Sequence, residues 1–317
     1  MGGVPVFFSI LVSILIWMNQ ESLDQEKYFI VALIIIFIIG LRDDLIPMKP
    51  IYKIINQLIP AVIVVVFSNI EITSFYEIFS QYTFPRYFTL ATTLLTIIVI
   101  TNSYNLIDGI DGLVGSVGVL TIGLFGFWFY LVGNISLGLL CFSFVGGLLA
   151  FLFYNWQPSK IFMGDTGALL IGFFVACIVI IFFNTNQTIS DSAELKFRNP
   201  ISIAIAVLII PLFDTLRVFV IRLMNNRSPF SPDNNHMHHK LLKYGLSHGQ
   251  AVLFLLFVNF LFLVVVILLK DRHEFYSFGS IVLMSIITTI VLSDKIFPQR
   301  KGVQLPSKPQ TKKPTIK

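Results

Sequence analysis

An all-α integral membrane bundle of about ten transmembrane helices is the fold class this 317-residue sequence predicts, and three observations predict it. Hydrophobic residues make up 56% of the chain and charged residues 12%, with a mean hydropathy of +0.83, a balance outside that of ordinary water-soluble domains. The apolar residues gather into runs of near-membrane length, broken by polar or Gly/Pro clusters. In lipid each such run must satisfy its own backbone, which makes helices of them. Residues 1–294 read as one transmembrane domain and 295–317 as a basic tail, expected to be disordered.

The first run, 3–18, has no basic segment before it and no small-residue cleavage site after it, so it reads as a retained helix. The second, 28–41, is short and ends on Asp43 and Asp44. The third covers 51–67, and the stretch from Ser68 to Pro85 has room for a short interfacial helix. The fourth, 87–101, is short and runs into the polar segment NSYNLIDGIDGL. The runs 113–133, 137–154 and 167–183 follow; Cys141 and Cys177 fall inside the last two and read as small buried hydrophobes rather than a disulfide. The eighth, 200–221, carries PLFDTLR, where Asp214 and Arg217 at i and i+3 read as a structural ion pair. The runs 250–269 and 277–293 complete the set.

An even number of spans puts both termini on one side, and that side collects sixteen of the 22 Lys and Arg residues. The positive-inside rule makes it the cytoplasm. Eight aspartates and no glutamate lie on the same side, whereas all six glutamates lie on the other. Acids that merely solvated loop ends would be mixed; short, stiff carboxylates suit fixed positions around a cation or a phosphate.

Four motifs occupy that face. In LRDDL, two acids at a helix C-terminus oppose the macrodipole, and as neighbours they can share a proton or metal, raising one pKa until that group is a usable base. In NSYNLIDGIDGL, Asn102, Asn105, Asp108 and Asp111 recur every third residue, so on a continuing helix they form a polar ridge. Gly109 and Gly112 interleave with it, leaving room for a ligand's phosphates. In IFMGDTGAL, Asp165 stands at a helix start, where it could be an N-cap, and Phe162 is either an interfacial anchor or a platform for a flat ring. The segment SPFSPDNNHMHHKLLKYGLSHG places His236, His238 and His239 among Arg and Lys, a cationic loop able to grip a diphosphate. Zinc is the competing reading, but the loop has no cysteine and no separated ligand pairs.

Taken together and in this order, the four motifs resemble the successive cytoplasmic signatures of the polyprenyl-phosphate N-acetylhexosamine-1-phosphate transferases, glycosyltransferase family 4. The HMHH form after SPFSPD is similar to the WecA/TagO branch; the MraY-like branch, a phospho-MurNAc-pentapeptide transferase, carries three contiguous histidines. The resemblance implies transfer of a sugar-1-phosphate, GlcNAc-1-phosphate foremost, from a UDP-N-acetylhexosamine to undecaprenyl phosphate with release of UMP. It implies Mg²⁺ as cofactor, with Mn²⁺ as a substitute. It implies Asp165, Asp108 and Asp111 as metal ligands, with Asp108 and Asp111 catalytic too, and Asp43 as base helped by Asp44. Asn105 and Phe162 would bind uridine, and His236, His238 and His239 the diphosphate or sugar. The expected partners are the two substrates and membrane lipid, with a homodimer admissible and no nucleic acid; the expected place is the bacterial plasma membrane, active site inward. In such proteins a helix and a basic, His-containing loop precede the Gly-Gly pair at which this chain begins, so that first helix is expected to be missing here. A secondary transporter is the alternative from another class, but transporters set their acids near the midplane of repeated halves, and here they collect at one face.

Overall fold

The computed structural model describes residues 1–17, 20–75, 84–226, 228 and 236–292. Its elements are helices: α1 (Gly3–Trp17), α2 (Gln20–Leu45), α3 (Pro50–Phe67), α4 (Arg86–Ile107), α5 (Leu113–Leu131), α6 (Ile135–Asn155), α7 (Gly164–Thr188), α8 (Pro200–Val207), α9 (Ile209–Met224), α10 (Met237–Lys243), α11 (His248–Leu268) and α12 (Glu274–Val291). The all-helical, polytopic architecture agrees with the sequence expectation. The count is lower. Among the described residues seven helices are long and apolar enough to cross a membrane, and eight if α8 and α9 form one bent span. α1 has only 15 residues, and α2 carries Arg42, Asp43 and Asp44 near its end.

The organising element is α7. It is apolar on every side, and such a helix is stable only when wrapped by others; α1, α2, α4 and α5 pack around it and nearly all of it is buried. Small residues set the closest approaches, as expected where lipid supplies no hydrophobic drive between helices. A Cβ on Gly172 would lie 2.8 Å from the Thr101 Cα of α4, and one on Gly40 of α2 would lie 2.6 Å from the Thr166 Cα. Tyr104 of α4 is fully buried and donates to Thr121 of α5 at 2.9 Å, so its hydroxyl is satisfied inside the bundle. Cys141 and Cys177 are free and buried, as the sequence indicated.

The eighth apolar run is not one continuous helix. It bends by 80° between α8 and α9. Pro211, in the first turn of α9, has no N–H to offer the Val207 carbonyl, so the helix ladder lapses there. At the same break Asn259 of α11 donates to the neighbouring Ala206 carbonyl at 3.0 Å. No helix forms over 68–75: the chain runs beside α4 and α7, with the Ile72 N–H on Thr93 Oγ1 at 2.9 Å and Asn184 Nδ2 on the Glu71 carbonyl. The rest of that expected interfacial helix, 76–83, lies outside the described residues, as does the tail from 293 onward.

Connections then gather the polar motifs at one end. The C-termini of α2, α4 and α6 and the N-termini of α3, α5, α7 and α11 share it. Ser247 and Gln250 start α11 with a reciprocal capping box.

Candidate active site

The acids that end α2 have separate tasks. Asp44 reaches across to the start of α7: its Oδ1 accepts the Asp165 N–H at 2.8 Å, and its Oδ2 accepts the Thr166 N–H at 3.0 Å and the Thr166 hydroxyl. A carboxylate poorly placed at its own helix C-terminus thus becomes the N-terminal cap of another helix, where the dipole favours it. Gly164, at φ +76, permits the approach, since a Cβ there would meet Asp44 Oδ2 at 2.7 Å. Both Asp44 oxygens are engaged in this cap rather than turned to Asp43 as an assisting base. The N-cap reading of Asp165 is corrected by the same contacts: Asp165 stands in the first turn, and its side chain is left for other work.

That work is shared with Asp43. Asp43 is 3% exposed, its Oδ1 accepting the Met48 N–H at 2.7 Å and its Oδ2 lying 2.7 Å from Lys53 Nζ. The same ammonium is 2.8 Å from Asp165 Oδ1 and 3.2 Å from Asn105 Oδ1. Asn105 Nδ2 donates to Asp165 Oδ1 at 2.6 Å. Four helices, α2, α3, α4 and α7, therefore send one polar group each to a single point. Asp165 is 36% exposed there, so the point is open to solute.

The polar ridge does not continue as one row. α4 ends at Ile107 with Asp108 as its C-cap, and the chain turns through 109–112. Asn102 clamps α4 to α3 through Gln57 Oε1 at 2.8 Å, Asn105 joins Asp165, and Asp111 faces another way. Asp111 Oδ1 accepts the Ser159 hydroxyl at 2.8 Å, and its Oδ2 is 3.1 Å from His248 Nδ1. Asp108 is half-buried beside this turn. Of the expected metal set, Asp165 and Asp111 lie in separate hydrogen-bonded clusters, and among the described residues no three Asp, Glu, His or Cys side chains are grouped so as to hold a metal ion. The turn itself is held by Gly112, at φ +80, whose N–H donates to Asn155 Oδ1 at 2.8 Å.

The histidines form a packed stack keyed by α9. Asp214, 1% exposed, accepts from Arg217 Nη2 at 3.0 Å and from the Met237 N–H at 2.8 Å, and its Oδ2 lies 2.9 Å from His236 Nδ1. The ion pair read from the sequence is present and does more, fixing the start of α10. His236 lies parallel to His238, with centroids 5.6 Å apart, and His238 is 4.2 Å from His239. His238 is 1% exposed, with neither ring nitrogen hydrogen-bonded among the described residues, and sits so close over Gly109 that a Cβ there would fall 2.1 Å from Nε2. The space expected to admit phosphates at Gly109 is thus filled by an imidazole. Burial pushes the His238 pKa down to about 3 against the opposing pull of Asp214, which keeps the ring neutral in ordinary conditions. Of the three, only His239 is more than marginally accessible. Phe162 is 54% exposed on the loop before α7, its carbonyl accepting the Gly2 N–H at 2.6 Å.

Sequence reasoning missed Lys53, Ser159 and His248. Lys53 had counted only toward orientation, although a lysine set inside the start of an apolar run, nine residues after a pair of acids, was a readable signal. Asp233 lies outside the described residues.

Residues 27–183 match the model of the family described as glycosyl transferase family 4. A probable undecaprenyl-phosphate N-acetylglucosaminyl 1-phosphate transferase of Bacillus subtilis is 30% identical over 92% of this chain and 78% of its own. An undecaprenyl-phosphate alpha-N-acetylglucosaminyl 1-phosphate transferase of Yersinia pestis is 29% identical over 79% of this chain and 67% of its own. The protein of that description in Escherichia coli strain K12 is 28% identical over 79% and 66%.

Proposed function

The chain belongs to glycosyl transferase family 4, and from that premise we propose that it transfers GlcNAc-1-phosphate from UDP-GlcNAc to undecaprenyl phosphate, releasing UMP and starting a cell-envelope polysaccharide on its lipid. The observation that carries the reading is the convergence of Asp43, Asn105 and Asp165 on one cationic point at the open end of the bundle. Two phosphate anions must meet there, and they approach only where positive charge is fixed in advance. Hard oxygen donors arranged around a point that already holds a cation fit Mg²⁺, with Asp165, Asp43 and the Asn105 carbonyl as its protein ligands. When bound, the metal supplies charge neutralisation and polarises the phosphoryl oxygens.

The chain's own groups do the rest. An oxygen of the lipid phosphate forms a bond to the phosphorus that carries the sugar, and the bond from that phosphorus to the bridging oxygen breaks, so that UMP leaves with the electron pair. The lipid phosphate is largely a dianion near neutral pH and needs no base in this arrangement; the base role that the resemblance implies for Asp43 would require its Oδ2 to be free of the cation. Phe162 offers an exposed ring to the uracil, and His239 reaches the diphosphate from the α10 side. Counting α1, α2 and the bent α8–α9 pair as crossings brings the total to ten; with that count the basic excess sets the site toward the cytoplasm.

Radiolabelled UDP-GlcNAc, undecaprenyl phosphate and Mg²⁺ should yield lipid-extractable sugar and UMP in equal amounts, abolished by EDTA. Folded protein that makes neither product from any UDP-N-acetylhexosamine would refute the reading, and a panel of donors identifies the sugar.

A further inference from the structure

We propose that Lys53 is the resident cation of the site: its ammonium holds the oxygen donors of three helices in register and is displaced when a divalent cation binds. This rests on the metal-dependent reading above. Asp43 Oδ2, Asp165 Oδ1 and Asn105 Oδ1 lie 2.7, 2.8 and 3.2 Å from Lys53 Nζ, the contact distances of an ammonium with oxygen acceptors. Without a cation, two carboxylates so close would repel each other and splay, as like charges do at short range.

The donors are tethered independently of the lysine. The Met48 N–H holds the other oxygen of Asp43, and Asn105 Nδ2 holds Asp165. The cage can therefore keep its shape while the ammonium leaves. Lys53 stands in the first turn of α3, with its side chain 15% exposed and a flexible four-carbon stem, so it has a route toward water. A metal ion held at about 2.0–2.1 Å from the same oxygens cannot share the point with an ammonium. Exchange is the consequence, and the departing ammonium remains beside the site as a donor for an incoming phosphate. Lys53 is on this account a positioning residue, not a ligand.

The test reads the lysine and the metal separately in the purified, detergent-solubilised full chain. Mn²⁺ binding is followed by the loss of its free-ion electron paramagnetic resonance signal, and Lys53 accessibility by mass spectrometry after brief treatment with an amine-acylating reagent. Saturating Mn²⁺ is expected to raise Lys53 acylation at least about fivefold in the native chain and to leave it unchanged in Asp165→Asn, because only a filled cage expels the ammonium. Lys53→Met is expected to bind Mn²⁺ at least about tenfold tighter, having no resident charge to displace. Tighter binding alone would follow from charge, so the acylation decides: Mn²⁺ bound to the native chain with no rise in Lys53 acylation overturns the exchange while leaving metal dependence intact. Weaker Mn²⁺ binding by Lys53→Met also overturns it. No Mn²⁺ binding by either chain sinks the exchange and the metal-dependent reading together.

Discussion

Among the described residues, two carboxylates at opposite ends of the molecule cap helix N-termini far from them in the chain, beside the shorter link from Asp214 to the start of α10. Asp44 of α2 caps α7; Glu274 of α12 caps α8, its Oε1 accepting the Ser202 N–H at 2.6 Å. The electrostatics are the same, an acid set against exposed amides and the positive end of a dipole. The surroundings differ. Around Glu274, the side chains of Asn199, Ser202 and Ser277 are all fully buried, and Asn199 Nδ2 donates to Ser277 Oγ at 2.6 Å, tying α8 to α12. Around Asp44, the next residue of the capped helix is a second carboxylate, 36% exposed and facing Lys53. A trans cap is thus a staple when the polar cluster is closed and the floor of a site when it is open. Burial, not the presence of acids, separates the two.

The largest effect should come from the open end. Asp165→Asn is expected to lower turnover at least about a hundredfold, because an amide cannot supply the anionic ligand, while thermal stability stays near that of the parent. If turnover and stability fell in proportion, the two ends would not differ in kind. Glu274→Gln should do the opposite, costing about 1–3 kcal/mol of stability with specific activity of the folded fraction preserved. A denaturation midpoint measured beside the initial rate separates these outcomes. Gly109→Ala forces His238 off the turn it covers and is expected to cost about 1–3 kcal/mol by overpacking, with a loss of activity that Gly112 and Asp111 alone would not predict.

A pH dependence centred on His238, slight near neutral pH, comes last. Its folded pKa of about 3 lies below the 6.5 of an unfolded histidine, so the unfolded chain takes up the proton first. The stability its burial contributes is complete above about pH 6.5 and is lost as the pH falls toward 3, by up to about 1.4 kcal/mol per unit. Comparing the melting temperature against pH for the parent and His238→Gln checks the sign: a parent curve no steeper than the variant's between pH 6.5 and 4 would contradict a buried neutral ring.

Much of the molecule was legible in order along the chain. Apolar run length marks spans because each helix in lipid satisfies its own backbone, a local requirement. The acids could be sorted to one face for the same reason, since alternating spans carry every second connection to the same side. Motif order sufficed for the family. The pairings were not legible. Asp43 and Asp44 are adjacent in sequence and look alike, yet one lies against Lys53 and the other caps α7, because the helix end turns their side chains in different directions. The period of three from Asn102 to Asp111 promised one ridge, but α4 stops at Ile107, and the regular spacing lost its geometric meaning there.

What the sequence by itself determined was composition-driven and local: an all-helical membrane bundle, a polar face rich in aspartate, and membership in a family that handles phosphates beside lipid. The tertiary structure decided which of those groups meet. Lys53 reaches Asp165 across 112 positions of chain, and Asp214 reaches His236 from another helix. Such contacts depend on how α7 is wrapped, on Gly40 and Gly172 letting backbones close in, and on the break that Pro211 opens between α8 and α9. Helix propensity and hydropathy act over one or two turns, whereas the site is set by packing between segments far apart in sequence.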